Sequence, residues 1–207
     1  MTHSFGESYW EQVWRNGRAA AMRSAPTNPH LVQEVADLTP GTVLDAGCGG
    51  GAEAIWLAEH GWQVTAADVA DAALAVAADR AAAKGVTERV RWVRADLSTW
   101  VPDADYDLVT THYAHPAMPQ LEFYDRLASW VTPGGTLFVV GHLHHDFHGH
   151  SDGPPVEASV TAADITARLD PGGWEIATAR ETHRSVPGAD GRTTSLHDVV
   201  VRARRRP

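Results

Sequence analysis

Two short segments hold most of the imidazole chemistry of this chain: "THYAHP" at 111–116 and "GHLHHDFHGH" at 141–150 carry seven of its twelve histidines. Imidazole exchanges a proton near neutral pH, so His112, Tyr113, His115, His142, His144 and His145 are the candidate general bases, acceptor-orienting groups and pocket walls. Imidazoles also gather late first-row metals. The spacing His142, His144, His145, His148, His150 matches no ligand motif, however, and no metal is assigned to it.

A second kind of chemistry lies in "VLDAGCGGGAEAIWLA" at 43–58, where Gly47, Gly49, Gly50 and Gly51 separate an apolar run from an alanine-rich stretch. Glycines at a strand-to-helix turn let a ligand approach the backbone more closely than a Cβ allows, and they aim N–H groups at it. Gly47, Gly49 and Ala52 also fit the dinucleotide pattern G-x-G-x-x-A. Asp68 ends the next strand-like run, "WQVTAAD", about twenty residues on, where a carboxylate accepts from a ribose diol. Nicotinamide and adenosyl cofactors share that feature.

Asp45 and Asp96 separate the two. A diphosphate gains nothing from an extra anion beside the glycine turn, whereas a ligand with a cationic ammonium and sulfonium tolerates Asp45 well. Asp96 and Leu97, which end the strand-like run "RVRWVRADL", are placed to meet an adenine amino group and ring face. Cys48, the only cysteine, lies inside the turn as a small buried filler with no basic neighbour in sequence to generate a thiolate.

These residues need a frame, and the hydrophobic pattern supplies one. Strands are predicted near 42–46, 62–67, 90–95, 106–112 and 135–141, with helices near 51–60, 70–84 and 119–130 between them. This alternation implies a parallel sheet built from βαβ crossovers. A helix near 161–169 then precedes "WEIATARET" and "SLHDVVVRAR", joined through "SVPGADGRTT", whose Pro and Asp-Gly are hairpin chemistry. The expected fold is α/β: a mostly parallel Rossmann-like sheet with an antiparallel C-terminal hairpin and helices on both faces.

One domain spans 1–207: a core over 41–207, and residues 1–40 as a helical cap or lid across the sheet's carboxyl edge. That leading segment carries Tyr9, Trp10, Trp14, Arg15, Arg18 and Arg23, then the helix-breaking "APTNPH".

In this order of elements the chain resembles the class I S-adenosylmethionine-dependent methyltransferases. The resemblance rests on D-A-G-C-G-G-G at 45–51, Asp68, "ADL" at 95–97, "YDLVTTHY" at 106–113 and "VTPGGTLFVV" at 131–140. It implies a seven-stranded sheet with an antiparallel last strand and S-adenosyl-L-methionine as cofactor, leaving S-adenosyl-L-homocysteine as product. By the same resemblance, Asp45, Gly47, Gly49 and Gly51 line the methionine portion, Asp68 and Val69 hold the ribose, Asp96 and Leu97 frame the adenine, and His112 sits beside the sulfonium. The size and layout are similar to small bacterial tellurite-resistance and thiopurine-type methyltransferases, whose acceptors are often soft sulfur, selenium or tellurium.

The totals narrow the partner. A formal charge of −9 argues against nucleic acid, and no apolar stretch is long enough to cross a bilayer. The N-terminus lacks a basic segment followed by an apolar one, so it does not read as a signal peptide and a cytoplasmic enzyme is expected. "TTHYAHP" is not the D/N-P-P-Y/F/W signature of DNA amino-methyltransferases, and the cysteine is misplaced for attack on cytosine. A small-molecule acceptor, methylated on a thiol or other soft sulfur or else on N or O, is the reading that remains. Two alternatives stay open: an NAD-dependent oxidoreductase on a similar fold, and a non-catalytic metal-binding protein using the histidine-rich loop. The acceptor's identity and the oligomeric state are not legible in the sequence.

Overall fold

Five parallel strands and an antiparallel pair form one sheet in the computed structural model, which describes residues 5–16, 22, 24–143, 159–187 and 193–207. The strands are β1 (Thr42–Ala46), β2 (Gln63–Asp68), β3 (Val90–Arg94), β4 (Tyr106–His112), β5 (Val131–His142), β6 (Trp174–Pro187) and β7 (Thr193–Arg205). Their spatial order is β3-β2-β1-β4-β5-β7-β6, with β7 antiparallel to both neighbours. This is the seven-stranded, mostly parallel sheet with a C-terminal hairpin that the sequence pattern predicts.

The helices are α1 (Glu7–Arg15), α2 (Pro29–Val35), α3 (Ala52–Glu59), α4 (Asp71–Lys84), α5 (Gln120–Ser129) and α6 (Ala162–Ala167). Local chemistry sets several of their ends. Asn28 caps α2 by accepting the His30 N–H, with Pro29 pre-set in the first turn. Gly85 stops α4 in the left-handed region. Thr161 and Asp164 close a capping box on α6.

Strand alternation divides the core into two layers. Leu44, Val109, Leu137, Val139, Val199 and Val201 pack toward α5 and α6. Their neighbours Val43, Leu108, Phe138, Val140 and Val200 pack toward α2, α3 and α4.

Two expectations are refined. β5 begins at Val131 rather than 135: Tyr106 pairs with Val131, the register then shifts, and Leu108 pairs with Thr136. The irregularity absorbs Pro133, Gly134 and Gly135, with Gly134 at a φ of 80°. In the leading segment, α1 lies at the carboxyl edge, but α2 belongs to the core, burying Leu31 and Val35. Among the described residues, no helix is long and apolar enough to cross a membrane.

Candidate active site

The chain leaves β1 for β2 and β3 on one side, then crosses to β4 and β5 on the other. The crevice where the strand order reverses is where open α/β sheets bind ligands. A cavity of about 350 Å³ occupies it, bordered by the β1–α3 loop, the tips of β2, β3 and β4, α1, residues 25–29 and Arg184 of β6.

The glycines are required by contact as well as by conformation. Gly47 has a φ of 78°, and a Cβ there would meet the Ala114 Cβ at 2.4 Å. At Gly49 and Gly50 a Cβ would meet the Trp14 ring at 3.0 and 3.2 Å. The loop is held by Ala67, whose carbonyl accepts from Gly47 N–H and Cys48 N–H, and by Asp68, whose Oδ2 accepts from Gly49 N–H at 2.9 Å. Asp68 Oδ1 accepts from Ala70 N–H. Arg80 ties the loop to the leading segment by donating to the carbonyls of Gly50 and Ala25.

Across this loop lies α1. Trp10 Nε1 donates to the His115 carbonyl at the β4 tip, Ala72 N–H at the start of α4 donates to Glu11, and Glu7 pairs with Arg94. Trp14, only 2% exposed, fills the gap beneath.

Three acids surround the loop. Burial pushes the Asp45 carboxyl well above its ordinary range, and Glu53 and Asp68 add to the effect by like-charge repulsion. Burial also raises Glu53, against the hydrogen bond from Asn28 N–H, and Asp68, against those from Ala70 and Gly49. Asp45 Oδ2 is buried with no hydrogen-bond partner among the described residues. Such a cluster favours a cation. For the same reasons, burial first and then Asp68 and Asp45, the Cys48 thiol is raised and is no nucleophile.

Of the residues singled out from the sequence, Gly47, Cys48, Gly49, Asp68, Val69, Asp96, Leu97, His112, Tyr113 and His115 border the cavity. Asp45 and Gly51 are buried and lie outside its wall. Asp96 is exposed, and its Oδ1 accepts from the backbone and hydroxyl of Ser98. His142 stacks on the Tyr113 ring, with centroids 4.1 Å apart, and does not itself border the cavity. His144, His145 and Asp146, like Arg18 and Arg23, lie outside the described residues. Among the described residues, no three His, Cys, Asp or Glu side chains are grouped to hold a metal.

Burial changes what two of the expected bases can do. It lowers His112 to about 3, with help from His30, so the ring is neutral and a weak proton acceptor near pH 7. Both His112 ring nitrogens are buried and without a partner among the described residues. Tyr113 is shifted upward by burial and by the Asp198 charge, against the hydrogen bond from Arg184, so it stays protonated. His115 differs. The Gln120 amide donates to the Ala114 carbonyl, which turns its Oε1 toward His115 Nδ1 at 3.4 Å and places the proton of a neutral ring on Nδ1.

Sequence reasoning missed Arg184, Asn28, Glu53, Asp198 and His30. Arg184 Nη2 donates to Tyr113 Oη at 2.9 Å and Nε donates to the buried Asp198, which also meets His30 Nε2 at 3.2 Å. These contacts join β4, β6, β7 and α2, and no local sequence signal marks them.

Residues 43–135 match a family described as a methyltransferase domain. Over 191 residues, the chain is 26% identical to thiocyanate methyltransferase 1 of Brassica oleracea, covering 90% of this chain and 82% of that one. Residues 43–135 form the methyltransferase domain of an S-adenosylmethionine-dependent enzyme. The fold of the methyltransferase is also that of two solved proteins. One is the Burkholderia thailandensis 1,6-didemethyltoxoflavin-N1-methyltransferase, with a TM-score of 0.66, 23% identity and coverage of 97% of this chain and 87% of that one. The other figures in the conversion of a disulfide bond into a thioacetal group during echinomycin biosynthesis, with a TM-score of 0.70, 23% identity and coverage of 100% and 92%. S-adenosylmethionine is the cofactor such enzymes use, and the site suits it: the glycine loop leaves room that a Cβ would fill, and the raised acids favour a cation.

Proposed function

We propose that the methyltransferase transfers a methyl group to a small molecule, with soft sulfur the first choice of acceptor atom and nitrogen or oxygen the second. The observation that carries this reading is the cavity. At about 350 Å³ it is at the low end of ligand sites, and a cofactor leaves space there for only a small acceptor. The likeness to a thiocyanate methyltransferase over most of both chains supports sulfur.

In this reading the glycine loop and the acids around it hold the methionine portion, Asp68 and Val69 the ribose, and Asp96 with Leu97 the adenine. Asp45 acts through its field from behind the loop. When bound, the cofactor supplies an electrophilic methyl on a cationic sulfur. The protein's part is to hold the acceptor in line with it and keep water out, which α1 and Trp14 do by covering the crevice. A protein base matters only for acceptors that reach the site protonated; burial has weakened His112 for that task, and His115 is the other imidazole of the β4 tip that borders the cavity.

A nicotinamide dinucleotide would set its diphosphate against a loop already flanked by three acids, an unfavourable arrangement. Calorimetric titration with S-adenosylmethionine, S-adenosylhomocysteine and NAD(H) tests the cofactor. A screen of thiol, phenol and amine acceptors, scored by gain of one methyl in mass, tests the acceptor. Binding of NAD(H) without either adenosyl ligand overturns the reading, and transfer to amines but never to thiols overturns the preference for sulfur.

A further inference from the structure

The β4 tip carries a chemical constraint that the methyl-transfer reading leaves unused. Tyr113 Oη receives two hydrogen bonds, from Asn28 Nδ2 at 3.2 Å and from Arg184 Nη2 at 2.9 Å. Neither donor can be turned around. A guanidinium has only N–H to offer. The Asn28 amide is fixed because its Oδ1 already accepts the His30 N–H at 2.9 Å, which leaves Nδ2 to face the tyrosine. With two donors on its oxygen and the group held protonated by burial, the Tyr113 hydroxyl must send its own hydrogen elsewhere. Among the described residues nothing accepts it, and Tyr113 borders the cavity.

Arg184 is held in the same way. Its Nε is taken by Asp198 and its Nη2 by Tyr113, while its Nη1 has no hydrogen-bond partner among the described residues. Arg184 borders the cavity, as does His112, whose ring nitrogens are without a partner among the described residues. Two acids bear on Arg184: Asp198, fully buried on its far side and shared with His30, and Glu53 in the cavity wall, whose Oε1 is occupied by Asn28 N–H. The backbone at Tyr113 is in the left-handed region, at a φ of 57°, a conformation that costs free energy for a bulky residue and that clusters at functional sites.

We propose that Tyr113 Oη–H and Arg184 Nη1 form a donor-only site that selects a small anion as the methyl acceptor. The proposal rests on the methyltransferase reading of the same cavity and names its acceptor class. An atom meeting these donors must be electron-rich and carry no proton of its own, as a thiolate or another soft anion is. In transfer to such an anion, an acceptor lone pair forms the bond to the methyl carbon, the carbon–sulfur bond breaks with its electrons left on sulfur, and no proton has to leave. A wall that holds a protonated tyrosine and a weakly basic His112 suits that chemistry.

The test is calorimetric titration of protein saturated with S-adenosylhomocysteine, using sodium thiocyanate as the anion and methyl thiocyanate as its neutral counterpart. Thiocyanate is expected to bind and the neutral compound to bind at least about tenfold more weakly, because a hydrogen bond to a charged group is lost. Arg184→Gln should weaken thiocyanate by about tenfold or more, Tyr113→Phe by about threefold to tenfold, and Arg184→Lys should recover part of the loss. All three variants should keep their affinity for S-adenosylhomocysteine, which reports that the crevice has folded. Equal binding of the charged and neutral probes, or unchanged thiocyanate affinity in both Arg184→Gln and Tyr113→Phe, overturns the anion site alone. Failure of wild-type protein to bind S-adenosylhomocysteine overturns the cofactor reading beneath it.

Discussion

Asp68 Oδ2 accepts the Gly49 N–H at 2.9 Å, so the acid at the end of β2 fixes the shape of the loop that follows β1. The same carboxylate holds the start of α4 through Ala70 N–H. Replacement of Asp68 therefore acts twice, on the loop and on whatever the carboxylate grips in the cavity. Asp68→Ala should lower affinity for S-adenosylmethionine by about tenfold to a hundredfold, since hydrogen bonds to a charged group contribute about 1.5–3 kcal/mol each. Asp68→Asn should lose less, because its amide oxygen can still accept from Gly49. Calorimetry on both variants, beside their melting temperatures, separates loop support from ligand contact: an alanine variant with unchanged affinity refutes a ligand role.

Two glycines with nearly the same φ make a controlled comparison. At Gly85, with a φ of 70°, an added Cβ would have nothing within 4 Å, whereas at Gly47, with a φ of 78°, it would face Ala114 at 2.4 Å. Gly85→Ala should cost about 1 kcal/mol, the left-handed penalty alone. Gly47→Ala adds a backbone-anchored clash and should cost about 3 kcal/mol, with loss of cofactor binding. Denaturant unfolding of the two variants measures the difference. Equal costs would mean that the β4–α5 segment yields freely and that the close approach at Gly47 is not required.

How much of this is legible in the sequence depends on how local each interaction is. Gly47, Gly49 and Gly51 are readable because a glycine turn between an apolar strand and a helix is a contiguous signal. Asp68 and Asp96 are readable because they end strands at a spacing set by βα units. Arg184 lies 71 residues from Tyr113, and its partner Asp198 lies 168 from His30. Those contacts depend on β7 inserting between β5 and β6, which alternation within a segment does not encode. The start of β5 is obscured for the opposite reason: Pro133, Gly134 and Gly135 read as a turn, but here they form a bulge inside a continuing strand. The chemistry of His112 is equally hidden. A histidine at a strand tip reads as a base until its burial is known.

That burial has a consequence for acid stability. His112 falls from 6.5 to about 3 in the folded protein, so between those values the unfolded chain binds the extra proton. Stability from this residue is therefore complete above about pH 6.5 and is lost as pH falls toward 3, by up to about 1.4 kcal/mol per pH unit. Asp45, Glu53 and Asp68 work in the opposite direction: their raised carboxyls take up protons in the folded state first and offset part of the loss. His112→Phe isolates the histidine, because the acids remain. Its unfolding free energy should depend less steeply on pH than the wild type's between pH 6 and pH 4, by about one proton's worth of slope. Parallel pH profiles would show that His112 is hydrated in solution and not desolvated.

The three acids also predict how cofactor binding couples to protons. In the ligand-free protein, burial holds Asp45, Glu53 and Asp68 above their usual ranges, Asp45 furthest under the added charge of the other two. An ammonium and a sulfonium placed against the loop would favour the ionised carboxylates and lower all three. Binding then releases protons, and affinity rises with pH through the range in which the free acids titrate, levelling off once they are ionised. S-adenosylhomocysteine has the ammonium but a neutral sulfur, so it should release fewer protons than S-adenosylmethionine and show a shallower pH dependence. Titrations in buffers of different ionisation enthalpy count the protons directly. Asp45→Asn should reduce the count for both ligands and narrow the gap between them, if the field of Asp45 reaches the sulfur through the glycine loop. An equal count for the two ligands in wild-type protein would place the sulfur beyond the reach of these acids.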